Sequence, residues 1–159
     1  MGRLIPFDSE AERLLSITFA CCEVVHEELG PGLLASRYRQ ALCNELCRRR
    51  IPFQIGAKLP VFSRGVRLDA CHRIDLCVAG RLLVDVLAVE KLRPAHYAAL
   101  QAQLRLTGVG AGIVTNYRSA RLVLSTIVVR EAGAFCLSDR TARAARLEPG
   151  VARWPQPPC

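Results

Sequence analysis

Residues 71–91, CHRIDLCVAGRLLVDVLAVEK, restrict the fold more than any other stretch of this chain. Apolar residues alternate through Ile74-Asp75-Leu76-Cys77-Val78, and Leu82-Leu83-Val84-Asp85-Val86-Leu87-Ala88-Val89 is almost wholly apolar. The second run has the pattern of a central strand covered on both faces. Ala79-Gly80 reads as a tight turn, so the two runs form a hairpin. Each expected strand carries one acid, Asp75 on the first and Asp85 on the second. A carboxylate inside a buried strand is costly unless its charge is compensated, and a divalent cation is a common compensator. Two carboxylates meeting at one end of a sheet suit Mg²⁺-assisted phosphodiester chemistry.

The rest of the chain supplies layers for that hairpin. Ser9 with Glu12 makes a capping box, and Leu14, Ile17, Cys21, Val24 and Val25 repeat at helical spacing, which predicts a helix over residues 10–29. Gly30-Pro31-Gly32 stops it. A second helix is expected over 33–50, ending in Arg48-Arg49-Arg50. Those arginines read either as a phosphate-contacting cluster or as cations complementing the helix C-terminus. After Ile51-Pro52, short strands over 53–55, 58–63 and 66–70 form a meander that turns at Arg64-Gly65. Pro94 opens a third helix over 95–107, and its crossover sets a strand at 111–115 parallel to the 82–89 strand. Residues 122–129 read as a strand, with a buried helix as the alternative because short apolar runs are ambiguous, and 135–137 as a last short strand. The order α-α-β-β-β-β-β-α-β predicts an α/β domain over residues 1–137, a mixed central sheet flanked by helices. Residues 138–159, rich in Arg, Ala and Pro, read as a mobile tail.

Composition narrows the function. Of 159 residues, 51% are hydrophobic, which argues against disorder. No apolar run approaches the ~20 residues of a membrane span. No signal peptide is evident at MGRLIPFDSEAER, so a cytoplasmic location is the expectation. The eight cysteines form no C-x-x-C pair and read as small buried apolar residues. A zinc site from Cys43, Cys47 and a histidine is the competing reading. Lys and Arg total 22 against 14 acids, a formal charge of +8, which favours a polyanionic partner such as DNA or RNA.

An acid on one strand and a second acid on the next, with lysine two residues after it, is the signature of PD-(D/E)xK nucleases. The surrounding words resemble one small bacterial branch, the GxxExxY family. Its segment HxxLGPGLLExxYxxAL corresponds to His26 through Leu42, and its R-x-D strand to Arg73-Ile74-Asp75. Its V-E-L-K-A-V-E-K-L strand corresponds to Val84 through Leu92. Its H-x-A-Q helix and G-[IL]-[LIV]-x-N-[FY] strand correspond to His96-Tyr97-Ala98-Ala99 and Gly112 through Tyr117. The match runs in order from about residue 10 to about residue 118. The resemblance implies a restriction-endonuclease-like core, with Asp75 and Asp85 as catalytic and metal residues.

The departures fall on the reactive positions. The motif glutamate is Ala35, the catalytic glutamate is Asp85, the catalytic lysine is Leu87, and the helix glutamine is Ala99. The expectation is therefore a degenerate nuclease-like protein with no cofactor or a weakly held Mg²⁺. It would bind nucleic acid through a basic face drawn from Arg37, Arg39, Arg48, Arg49, Arg50, Arg64 and Arg67. Asp75 in that case pairs with Arg73 or His72 at a strand end. His26 and His96 read as capping or packing residues rather than ligands. A second reading keeps an active Mg²⁺-dependent nuclease, with Lys91, four residues past Leu87, replacing the lysine. A third is a non-catalytic interaction module, in one form a homodimer.

Overall fold

The computed structural model describes residues 8–130, 133–138 and 146–147. Helix α1 (Ser9–Leu29) is capped by Asp8, whose carboxylate accepts the Ala11 N–H at 3.0 Å. The cap is therefore Asp8 and not Ser9, which is already the first helical residue. Helix α2 (Ala35–Arg48) is shorter at both ends than its apolar spacing suggests. Before it, the Leu33 N–H is taken by the Tyr38 hydroxyl at 3.1 Å, and after it Arg50 adopts φ 56°.

Strands β1 (Phe53–Ile55), β2 (Lys58–Ser63), β3 (Val66–Arg73), β4 (Leu76–Val78) and β5 (Leu82–Leu87) follow. They do not form a simple meander. β1 pairs with β4, while β2 and β3 leave the sheet as a separate antiparallel ribbon. The hairpin between β4 and β5 is closed by Arg81 N–H to Val78 C=O at 3.0 Å. Ala79 and Gly80 at its centre both have positive φ, the hand that tight hairpin turns require. Helix α3 (Pro94–Thr107) then crosses to β6 (Ala111–Asn116), which lies parallel to β5 in the register Val84 to Ile113, as the crossover predicts. β7 (Val123–Arg130), β8 (Gly133–Ser138) and the two-residue β9 (Arg146–Leu147) complete a mixed sheet ordered β1-β4-β5-β6-β7-β8-β9. Apart from Ser138 and Arg146–Leu147, the segment read as a tail lies outside the described residues.

Alternation along β5 divides the core into two layers. Leu82, Val84 and Val86 face α1 and α2, where they meet Cys22, Val25, Leu42 and Leu46. Leu83 faces α3 with Cys77, Val114, Leu100 and Leu104. Both faces are covered, which is why β5 reads as a continuous apolar run. α3 approaches β6 so closely that a Cβ on Gly112 would sit 2.9 Å from a Leu100 methyl carbon. The glycine of that strand motif is thus required by packing. Among the described residues no helix is long and apolar enough to cross a membrane.

Tyr38 and Tyr117 lock the helical layer to the sheet. Both are fully buried, and their rings stack at 4.5 Å with 12° between planes. The Tyr38 hydroxyl donates to Gly30 C=O at 2.6 Å and accepts from Leu33 N–H, tying down the Gly30-Pro31-Gly32 turn. Tyr38→Phe keeps the ring stack and strands both backbone groups. It should lower unfolding stability by about 1–2 kcal/mol, measured by urea titration; a midpoint equal to the parent's would show that the turn does not depend on this hydroxyl.

Candidate functional site

The two acids do meet, though not as two strand residues. Asp75 sits in the bend between β3 and β4, and only Asp85 lies within a strand. The chain leaves the sheet at this point, with the Ile74 N–H bonded to Ala57 C=O. Leu76 pairs with Val84, so the next position outward sets Asp75 beside Asp85. Because β4 begins only at Leu76, the Val86 N–H has no strand partner there. Asp75 Oδ2 accepts it at 3.1 Å, extending the ladder by a side chain. Asp75 Oδ1 accepts from Arg39 Nη1, also at 3.1 Å, and both side chains are 26% exposed. The ionic partner is thus Arg39 of α2, where the sequence pattern pointed to Arg73 or His72.

Asp85 is 8% exposed and faces α3. Burial pushes its carboxyl up to about 7; the charge of Asp75 adds to the rise, and a hydrogen bond from Gln103 opposes it. Around neutral pH the negative charge of the pair is therefore reduced by partial protonation of Asp85 and offset by the Arg39 guanidinium. Gln103 is itself buried, and its Oε1 has no partner. A half-turn of the amide would let that oxygen accept from the acid form of Asp85. Gln103 was missed in the sequence, although a signal exists: Leu100, Gln103, Leu104 and Thr107 share the buried face of α3, so a polar group lies on an apolar stripe. It lies one turn beyond Ala99, the position where the resembled family has its glutamine.

The other motif positions divide into packing and clamping. Leu87 packs with Leu92 and Tyr97 against the α3 core, and Ala35 is the first residue of α2. Asn116, at the end of β6, holds the loop after β5: its Nδ2 donates to Val89 C=O at 2.8 Å and its Oδ1 accepts Val89 N–H at 3.0 Å. That clamp carries Glu90 and Lys91 to the rim of a cavity also lined by Tyr97 and Ser125. Lys91 makes no ion pair with Asp75 or Asp85. His26 Nε2 bonds to Ser119 C=O at 2.9 Å, and His96 Nδ1 accepts the Arg93 N–H at 2.9 Å, so both act as packing or capping groups. Cys21, Cys22, Cys43 and Cys77 are buried free thiols; burial pushes Cys22 and Cys77 up to about 12 and Cys43 up to about 11.

The arginines do not form one compact patch. Arg37 and Arg39 stand near the start of α2, and Arg48, Arg49 and Arg50 at its end. Glu45 pairs with Arg49 at 2.8 Å and with Arg48 at 3.8 Å. Arg64 and Arg67 are exposed at the tip of the β2–β3 ribbon, where Arg64 takes φ 48° in the turn.

Mg²⁺ binding needs oxygen ligands free to coordinate, usually from carboxylates and waters. Here both Asp75 oxygens already accept hydrogen bonds, Arg39 stands where a cation would, and Leu87 offers no charge to a scissile phosphate. The residues satisfy the carboxylate pair with protein groups and offer a Mg²⁺ ion only two carboxylates, one of them paired with Arg39 and the other largely buried.

In the folded protein Asp85 keeps its proton up to about pH 7, whereas in an unfolded chain an aspartate ionises near ~3.9. The folded state binds the extra proton across that window, so stability falls as pH rises through it. Asp85→Asn should remove this slope and be more stable than the parent above pH ~7, read from thermal unfolding across pH. An unchanged slope would show that Asp85 is not the group responsible.

No curated protein and no solved structure matches the chain significantly. A family model described as the PD-(D/E)XK nuclease superfamily matches residues 12–127, from the start of α1 to the middle of β7, and so spans both carboxylates and every element around them. The chain belongs to the PD-(D/E)XK nuclease superfamily.

Proposed function

We propose that this protein is a catalytically degenerate member of the superfamily, of the GxxExxY type, that binds nucleic acid without cleaving it efficiently. The observation that carries the reading is the commitment of Asp75 to Arg39 and the Val86 N–H, with leucine at the lysine position. Phosphoryl transfer needs a cation to offset charge developing on the phosphate, and removing one such stabiliser costs about 10²-fold or more in rate. Arg39 cannot readily substitute, because leaving Asp75 would strand a half-buried carboxylate beside Asp85.

Binding is supported by the charge of +8 and by the exposure of Arg37, Arg50, Arg64 and Arg67. The two-stranded β2–β3 ribbon has the width that a DNA major groove admits. Arg48 and Arg49 contribute less, since Glu45 already neutralises part of their charge. A second reading, a protein-interaction surface or homodimer, is favoured by Leu29, Leu33 and Leu34, which lie close in sequence and are exposed, Leu34 to 74%.

The test uses fluorescence anisotropy with labelled DNA and RNA over a salt series. Affinity should fall linearly in log–log form, and Arg64→Ala with Arg67→Ala should make the slope shallower by about one for each phosphate that is no longer neutralised. Incubation with Mg²⁺ or Mn²⁺ should leave the probe intact. Affinity flat against salt would remove nucleic-acid binding, and metal-dependent cleavage abolished by Asp75→Ala would establish an active enzyme instead.

A further inference from the structure

A cavity of about 630 Å³ lies at the carboxyl ends of the parallel strands β5 and β6, apart from the carboxylate pair. Neither Asp75 nor Asp85 lines it. Its polar groups come from five segments: Lys91 from the loop after β5, Tyr97 from α3, Asn116 from β6, Arg121 from the loop after β6, and Ser125 from β7. Lys91 and Arg121 are both exposed, and neither makes an ion pair among the described residues. The Tyr97 and Ser125 hydroxyls lie 3.3 Å apart; one proton satisfies that contact, which leaves the other hydroxyl proton free to donate. Leu92, Leu122 and Val123 form an apolar wall. Glu90 at the rim offsets one of the two positive charges.

The position of Lys91 is built rather than incidental. The Asn116 amide grips Val89 through both its oxygen and its nitrogen, which fixes the backbone two residues before the lysine. Asn116 is buried, so this clamp is shielded from water. In open α/β sheets ligands gather outside the carboxyl ends of the strands, and cavities of this size accept a small molecule of nucleotide dimensions.

We propose that this cavity holds one nucleotide unit of a nucleic-acid strand, with its phosphate between Lys91 and Arg121 and its base against the Leu92–Leu122 wall. A strand phosphodiester carries one negative charge, which Lys91 and Arg121, offset in part by Glu90, match together with a hydroxyl donor, and each charge-assisted bond adds substantially to affinity. The inference rests on the nucleic-acid reading above and adds a site to it. The arginines of α2 and the ribbon contact backbone generally, whereas this cavity takes a single residue of the strand.

The experiment measures binding of adenosine 5′-monophosphate and of adenosine to the full chain by titration calorimetry, beside the oligonucleotide anisotropy. Adenosine 5′-monophosphate should bind, and adenosine at least about tenfold more weakly. Lys91→Gln with Arg121→Gln should weaken the monophosphate at least about tenfold while leaving the thermal transition unchanged, since both side chains are exposed. Arg121→Glu alone is the second variant, with a loss at least as large. If oligonucleotides bind but the monophosphate does not, or if these variants bind it as the parent does, the cavity proposal is overturned while the general reading survives. If the monophosphate binds in a Lys91- and Arg121-dependent manner and no oligonucleotide binds, the cavity takes a free mononucleotide, and both the strand-unit proposal and the nucleic-acid reading fall.

Discussion

Two neighbouring carboxylates, one on an interior strand and one in the bend beside it, repel each other, and a fold that keeps them must answer that repulsion. Here the answer comes from the protein. Arg39 and the Val86 N–H hold Asp75 at 3.1 Å each, and burial raises the Asp85 carboxyl until it keeps a proton near neutrality. The Asp75 contacts also do structural work. Arg39 ties α2 to the bend before β4, and the bond to Val86 continues the β4–β5 ladder past the last backbone pair. The same geometry that closes the hairpin commits one acceptor site on each Asp75 oxygen to the protein.

The motif residues that survive in this chain serve the same end. Tyr38, His26 and Asn116 each fasten a loop to the core, namely the turn after α1, the segment at Ser119 and the loop after β5, while the Tyr117 ring stacks on Tyr38. Gly112 allows α3 to lie close to β6. None of these contacts requires a metal or a substrate. The contacts that hold the fold are thus independent of Ala35, Leu87 and Ala99, so the scaffold places no demand on which groups stand at those positions.

Much of the architecture was legible in the chain because local signals agreed with the global fold. The both-face apolar run of β5, the crossover through α3 and the turn at Ala79-Gly80 each constrain topology independently. The departures have physical causes. Strand pairing is non-local, so nothing in the Lys58–Arg73 pattern says that β2 and β3 leave the sheet and let β1 pair with β4. Asp75 looked like a strand residue because alternation continues through it, yet the chain bends where its side chain replaces a backbone partner. The choice of Arg39 over Arg73 was invisible for the same reason: a guanidinium 36 positions away in sequence is brought there only by the packing of α2. Gln103 was readable in principle, as a polar residue on an apolar stripe, but its partner was not.

If Arg39, the Val86 N–H and protonation of Asp85 suffice to compensate the two carboxylates, the fold gains nothing from a divalent cation. A ligand that binds only the folded state raises the unfolding temperature in proportion to the logarithm of its concentration above Kd. Mn²⁺ can be titrated into the protein while thermal unfolding is followed. The expected result is a transition that does not move across the titration. A rise with Mn²⁺ that disappears in Asp85→Asn would contradict it and return the site to metal chemistry.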